Sequence, residues 1–475
     1  MSKINALMDM GKRSLMNSQT ALQTVGHNIA SKSVEGYSRQ RVDQVTNLPI
    51  GDGKMRIGMG ARAAAVNRVN NPYLERQIGV EESHLGFLTG KQDAMTRVES
   101  IYNEQVNKGL NQYMSEFFNA FRELSNNPES LATRSLVKET ADYVTKDFKR
   151  INAQLTGVQS DLDQQIKTHV NEINAFSTEI ASLNEKIQTV ELTGASANDE
   201  RDRRDLLVKK LGDKVNIRWA QGEDGTVTVS AGNNALLVAG YDAKQLFVQA
   251  TPESGNKGEG NFDVMYKSSE YATPFKVTEQ LHGGSIGGLL EVRDTIINDL
   301  KDGVDEMAYS LADEINDVHS KGFNSYNQTG VDFFEQPLEV KHAAQHMKLN
   351  GDILKDAARI ATGEIPGASG DNRIANKIAG LQYEKILSDG NASVDEYYNT
   401  MVGKVGVISK KTSNAHDSQE GIVKQLANIR ESISGVSLDE ETTKMIEFQK
   451  AFDASARIVK TADEMMDTVL NLKRL

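Results

Sequence analysis

The sequence predicts a mainly α-helical, elongated multi-helix rod with an antiparallel β domain inserted in the middle of the chain. Its N- and C-terminal helices are expected to pair as a coiled coil. Three observations predict this. Proline is scarce: seven in 475 residues, about 1.5% against a usual 5% or so, with none at 129–251 or 367–475. Apolar residues recur at steps of three and four over unusually long stretches. In one central segment the period changes to two.

Taken in order, the first helix reads Ile4, Met8, Gly11, Leu15, Ser18, Leu22, Val25 and Ile29. The irregular stretch 32–71, carrying Gly51, Gly53, Gly58 and Gly60, predicts a loop or hairpin. Helical spacing resumes with Leu74, Ile78, Leu85, Leu88, Met95 and Tyr102, then Leu110, Met114, Phe117, Phe121 and Leu124. From Val144 the stripe runs Phe148, Ile151, Leu155, Val158, Leu162 and Ile166, and on through Ile173, Phe176, Ile180, Leu183, Ile187 and Val190. Gly157 is the only glycine between Pro128 and Gly194, and a straight helix of that extent would be about 90 Å long at 1.5 Å per residue. A rod needs such an element; a compact enzyme rarely does.

Residues 213–280 differ. Val215, Ile217 and Trp219 alternate with polar residues, as do Val227 and Val229, Phe262 and Val264, and Phe275 and Val277. Turns rich in glycine or asparagine separate them, at Gly222 to Gly225, Asn233-Asn234 and Gly255 to Gly260. That pattern predicts antiparallel strands projecting from the rod. Helical stripes return at Leu289 to Val318 and at Met401, Val405, Ile408, Ala415, Ile422, Leu426, Ile429 and Ile433. The last helix reads Met445, Phe448, Phe452, Ser455, Val459, Ala462, Met466 and Val469.

A single amphipathic helix buries nothing alone, so the two ends must pair with each other or with neighbouring subunits. Gly11, Ser18, Ser455 and Ala462 dilute both seams, which predicts a weak intramolecular coiled coil, disordered in the isolated monomer and helical on assembly. The expected units are a terminal helical domain from 1–72 and 436–475, a long-helix bundle from 73–204, 284–322 and 371–435, and an outer β-rich domain from 205–283 with 323–370.

Composition narrows the function. A formal charge of −12 without an arginine-rich run argues against nucleic-acid binding. The absence of cysteine excludes disulfides, thiolate catalysis and cysteine-ligated metals. No apolar run approaches the roughly 20 residues that span a bilayer, and the N-terminus carries no apolar core of a secretory signal.

Candidate chemistry is sparse, and no cofactor is expected. Gly283-Gly284-Ser285-Ile286-Gly287 matches the G-x-S-x-G nucleophile elbow, which would make Ser285 a hydrolase nucleophile; the alternative is a flexible helix entry with Ser285 near its cap. His342 and His346 stand four apart, but Ala343 replaces the glutamate of a metalloprotease motif. Asn324 to Asp332 has too few carboxylates for a tight calcium loop. The mixed-sign run Arg201 to Asp205 reads as a solvated helix surface.

Two terminal segments carry a family likeness. GHNIASKSVEGYSRQ at 26–40 and MIEFQKAFDASARIVKTADEMMDTVLNL at 445–472 resemble the signatures of bacterial flagellar axial proteins, the family of rod, hook and hook-associated components. SGVSLDEE at 434–441, GASANDERDRRDLLVKKLG at 194–212, GGSIGGLLEVRD at 283–294 and HSKGFNSYNQTGVDFF at 319–334 resemble the hook-associated branch at the hook–filament junction. Ala30-Ser31 and Val34 depart from the family pattern, and the central region is short for it.

The resemblance implies a structural subunit, not an enzyme, exported by the flagellar type III apparatus without a cleavable signal peptide and polymerised outside the cell at the hook tip. It implies contacts with copies of itself, the hook protein, a second hook-associated protein and an export chaperone at the C-terminal region, and none with nucleic acid or the membrane interior. Its assembly interface would comprise Leu15, Leu22, Val25, Asn28, Ile29, Gly36, Tyr37 and Arg39 at one end, and Met445, Phe448, Phe452, Val459, Met466 and Val469 at the other. Another axial component is the alternative reading.

Overall fold

The computed structural model describes residues 2–52, 55–102, 108–250, 261–269, 271–388 and 390–472. Helix α1 (Ser2–Ser31) leads into a hairpin of β1 (Gln40–Thr46) and β4 (Ala61–Arg68), extended by the short pair β2 (Ile50–Asp52) and β3 (Met55–Ile57). Gly53 and the turn at Gly255 to Gly260 lie outside the described residues. Asn71 opens α2 (Pro72–Ile101), its side chain accepting from the amides of Tyr73 and Leu74 at 3.1 and 3.3 Å. After α3 (Leu110–Asn126), Ser130 caps α4 (Leu131–Glu191), one helix of 61 residues. Val137, Phe148, Leu155, Ile166, Ile180 and Ile187 of its stripe are fully buried, with Val158 and Phe176 half-buried beside them, so the long heptad pattern marks one continuous seam.

Helix α5 (Asn198–Lys214) turns back along α4. A four-stranded antiparallel sheet follows, of β5 (Ile217–Gln221), β6 (Val227–Ala231), β7 (Ala235–Ala239) and β8 (Asp242–Ala243), in that order. A second sheet pairs β9 (Gln245–Ala250) with β10 (Phe262–Lys267) and β10 with β11 (Phe275–Lys276). The strands do not project freely, because two asparagines of α4 stitch them to the rod. The Asn184 amide donates to the carbonyls of Val227 and Gly240 at 2.9 and 2.7 Å and accepts from the Val227 amide at 3.0 Å. Asn174 donates to Leu246 O at 2.8 Å and accepts from its amide at 2.9 Å. Each side chain supplies what a neighbouring strand would have supplied, and buried edge groups are left satisfied. Strands and helices share one apolar core.

The chain re-enters the bundle through α6 (Gly284–Glu291), a π-helical turn at Val292–Ile296 and α7 (Ile297–His319). Segment 323–370, with the short helices α8 (Ala343–His346) and α9 (Gly351–Lys355), was expected among the strands. It packs instead on α4 and α7. Phe333 and Phe334 drive this: both are fully buried, with ring centroids 5.9 and 6.3 Å from Phe117 of α3. Asn316 receives both of their amides at 2.8 Å. Helix α10 (Arg373–Gly380) covers α3, and a capping box of Ser393 and Glu396 opens α11 (Val394–Ser434), which runs along α2. Helix α12 (Leu438–Leu472) closes the chain against α1.

His319 fixes the packing of 323–370. Its Nδ1 donates to Val331 O at 2.7 Å and its Nε2 accepts from the Ala361 amide at 2.8 Å, so the neutral ring is required. Burial holds its pKa down at about 4. The unfolded chain therefore binds the extra proton between about pH 6.5 and 4, and the contribution of His319 to stability, complete above 6.5, is lost as pH falls through 4. Relative to His319→Gln, the native chain should lose on the order of 3 kcal/mol across that window, read by urea unfolding at pH 7, 5.5 and 4. A difference that does not change with pH would refute this.

Candidate assembly site at the paired chain ends

The two terminal helices lie antiparallel within one chain. Ser14 Oγ meets Ser455 Oγ at 2.7 Å, Gly11 sits beside Val459, and Asn28 reaches Glu441 at 2.9 Å. That register sets Leu22 level with Phe448, Val25 with Met445 and Ile4 with Met466. The small residues are not gaps in the seam; they lie at its buried centre. Gly11, Ser18, Ala21, Ser455 and Ala462 are buried, and a Cβ on Gly11 would stand 2.9 Å from Val459 Cγ2. Small side chains let the helix backbones approach and push the large ones to the flanks.

On those flanks Leu15, Leu22, Ile29, Met445, Phe448, Phe452, Val459 and Met466 are only half-buried, Val469 is exposed and Val25 alone is covered. Met16, Ile446, Ile458, Met465 and Leu470 add exposed apolar surface. The pair satisfies its narrow seam and leaves two apolar margins open. Such margins mark an interaction surface.

A polar junction ties this pair to the rod. Gly36 turns the chain at φ +82°, over a Leu206 Cβ that would lie 3.1 Å from any side chain placed there. The turn delivers Tyr37, whose hydroxyl donates to Asn28 Oδ1 at 2.8 Å. The same oxygen accepts from the Gln40 amide at 2.9 Å, while Asn28 Nδ2 donates to Gln40 O and Glu441 Oε2, both at 2.9 Å. Arg39 grips α12, with Nε to Glu441 Oε1 at 2.8 Å and a second nitrogen to Glu440 at 3.1 Å. Its backbone amide donates to Ser434 O at 2.8 Å.

Helix α5 and the long helices complete the junction. The Ser38 amide donates to Asp202 at 2.8 Å, and Arg68 bridges Asp202 and Asp205 at 2.7 and 2.9 Å. Arg430 of α11 pairs with Glu75 at 2.9 Å and donates to Gly36 O at 3.1 Å; Lys209 also pairs with Glu75. Burial, then Asp199, Asp202 and Glu441, push the Tyr37 hydroxyl well above its ordinary range. Burial likewise raises Asp202 despite Arg68. Burial would also raise Glu75, but Lys209 and Arg430 outweigh it and hold that carboxyl low.

Of the expected interface residues, Asn28, Gly36, Tyr37 and Arg39 belong to this junction and the apolar ones to the helix pair. Sequence reasoning missed Arg68, Glu75, Asp202, Arg430 and Glu441. It also misread the Arg201 to Asp205 run, which is not a solvated face. Asp202 and Arg204 are buried, Arg201 pairs with Glu191 at 2.6 Å, and Arg204 donates to Gly225 O at 2.7 Å, its pKa lowered by burial to about 10. Spacing of i and i+3 between Asp202 and Asp205 was the one available signal, since it sets both on one helix face.

The chemical candidates take structural places. Ser285 Oγ donates to Asp213 O at 3.1 Å, from within a helix that follows antiparallel strands. His342 stands before α8 at φ +66°, its amide held by Asp305 at 2.9 Å. Among the described residues no group of three or more metal-ligating side chains occurs, and no helix is long and apolar enough to cross a membrane. Asn324 folds its own loop, accepting from Tyr326 and Gln328 amides at 2.9 and 3.0 Å.

A helical rod whose chain ends meet in a pair with open apolar margins has the build of a structural subunit with surface left for neighbours. The chain belongs to the family of flagellar hook-associated proteins called FlgK: the model of that family's helical domain matches residues 95–334. The flagellar basal body rod FlgEFG protein C-terminal model matches residues 431–472. Flagellar hook-associated protein 1 of Bacillus subtilis is 28% identical, over 98% of this chain and 97% of its own. The Escherichia coli protein of that name is 24% identical over 558 aligned positions, covering 99% of this chain and all of its own, so it carries segments this chain lacks. The solved flagellar hook junction protein FlgK from Burkholderia pseudomallei shares the fold at TM-score 0.67 and 14% identity, over 75% of this chain and all of that one.

Proposed function

We propose that this chain is a structural subunit that polymerises at the tip of the flagellar hook and joins hook to filament. The observation that carries the reading is the terminal pair, tight at its small-residue seam and open along both apolar margins. Neighbouring subunits, the hook protein and a second hook-associated protein would cover those margins. The subunit leaves the cell unfolded through the flagellar type III apparatus, with an export chaperone on its C-terminal region.

The ends are unfolded in the free subunit and become helical at the tip. A narrow seam offsets little of the entropy of ordering helices of 30 and 35 residues, which costs about 1–2 kcal/mol per residue for the backbone alone. Covering the margins supplies the remainder, at roughly 1.5–3 kcal/mol per large side chain.

Cells lacking the protein should build complete hooks, release filament subunits into the medium and fail to swim. Filaments still attached would sink the assignment. Phe448→Asp or Phe452→Asp should lower incorporation at least tenfold, since about 1.4 kcal/mol corresponds to one factor of ten. Both variants should leave unfolding of the central helices and strands unchanged. Normal junctions built from either variant would refute the role given to the margins.

A further inference from the structure

A groove of about 530 Å³ runs between α2, α5 and the strand β5. One face of α2 forms its first wall: Arg76, Val80, Ser83, His84 and Phe87 follow steps of three and four. Ile217 and Trp219, alternate residues of β5, form the second, with Val208 and Gly212 of α5 beneath. Val80 is 67% exposed and Trp219, the single tryptophan of the chain, 36%. An open tryptophan beside Val80, Phe87 and Ile217, in a groove that Arg68, Glu75, Asp205 and Lys209 also line, has the composition of a binding hot spot.

The neighbouring helix α11 carries a matching ridge. α11 packs on α2 through Leu426, against Leu74 and Ile78, and leaves Ile422, Ile429 and Ile433 at 42, 41 and 40% exposed. The ridge from 422 to 433 extends about 17 Å at 1.5 Å per residue and fits within the groove wall from 72 to 87, about 23 Å long. Their charges also fit. Arg76 forms no ion pair among the described residues, donating only to Pro72 O at 3.3 Å. Glu431, 4.0 Å from Arg430, is exposed beside the ridge.

We propose that this groove receives the isoleucine ridge of α11 from a second copy of the chain, antiparallel to α2, so that Glu431 of the incoming helix meets Arg76. Groove and ridge are different surfaces on one subunit, so the contact is head-to-tail and propagates around a ring or helix. It adds a lateral bond through the rod to the bonds at the chain ends, and it rests on the polymer reading above.

The test replaces Val80 with the photo-crosslinker p-benzoylphenylalanine. Isolated hooks bearing junctions, and concentrated purified subunit, are irradiated in parallel and the products mapped by mass spectrometry. Crosslinks from position 80 to residues 418–433 of another copy are expected. No product in either sample, or a product with the hook protein, a chaperone or another part of the chain, overturns the proposal. Absence of the chain from hook tips would instead count against the junction reading, while the purified sample still reports self-contact. As an independent arm, Val80→Asp and Ile429→Lys should each lower incorporation about tenfold, and the double variant should recover most of it. Double-variant incorporation no better than either single variant would also overturn the contact.

Discussion

Gly288→Ala should lower the unfolding free energy of the helical body by about 3 kcal/mol or more, the upper end of what overpacking a filled site costs. A Cβ at 288 would lie 2.2 Å from Phe87 O and 2.7 Å from the Lys91 amide nitrogen. Neither obstacle is a flexible side chain; both are backbone of α2. The contact is reciprocal, because a Cβ on Gly90 of α2 would lie 2.5 Å from Ser285 O. Helices α2 and α6 therefore cross backbone to backbone at Gly90 and Gly288, while Gly284, at φ +66°, clears the backbone of Lys214 and Val215.

A control of opposite sign separates crowding from helix propensity. Gly406 lies in the interior of α11, where a Cβ would have nothing within 4 Å of it. Alanine there should stabilise the helix by up to about 1 kcal/mol, the ordinary difference between the two residues. Urea unfolding of both variants at pH 7 decides the matter. A Gly288→Ala protein as stable as the native chain would show that the crossing can relax, and the steric account would fail.

The helices were legible because their physics is periodic. Val144 to Ile187 announces a seam through spacing alone, and the structure buries all of that stripe but Val158 and Phe176, which are half-buried, in one 61-residue helix. The strands were legible from alternation at Val227 and Val229: both pair with β5, and Val229 also with β7. What could not be read has no period. Asn184 acts as a surrogate strand for Val227 and Gly240 because of where α4 passes the sheet, and an asparagine mid-helix gives no sign of it.

Phe333 and Phe334 are adjacent, a spacing that fits neither helix nor strand face, yet both reach the core because a loop can turn each inward. The small residues of the terminal seam show the opposite error. Gly11 and Ser455 look like dilution when helices are assumed to stand at leucine-filled distance, and become the closest contacts once that distance shrinks. The junction itself joins residues hundreds apart, such as Arg39 with Glu441 and Arg430 with Glu75, and local sequence holds no record of such pairs.

Glu441→Ala should have its effect only where the chain ends are ordered. The carboxylate is 1% exposed and serves Arg39 at 2.8 Å and Asn28 at 2.9 Å. Removing it leaves the Arg39 guanidinium with Glu440 alone, an exposed partner worth little. It also strips an acceptor from the buried Asn28 amide. Breaking a buried pair by deleting one member costs about 3–5 kcal/mol, because the other charge stays behind without compensation.

That loss falls on the joint between the terminal pair and the rod, not on the core shared by α3, α4 and the strands. Purified Glu441→Ala subunit should therefore unfold in urea with the native midpoint for its central region, while its junctions release filaments at lower temperature or lower urea than native ones. Asp439→Asn, two residues away and exposed, is the matched control and should leave filament release unchanged. Glu441→Gln should fall between, since the amide keeps an oxygen for one donor but loses the charge that holds Arg39. Native filament retention in Glu441→Ala cells would show that the polar joint carries no load, and the terminal pair would then be held by its apolar margins alone.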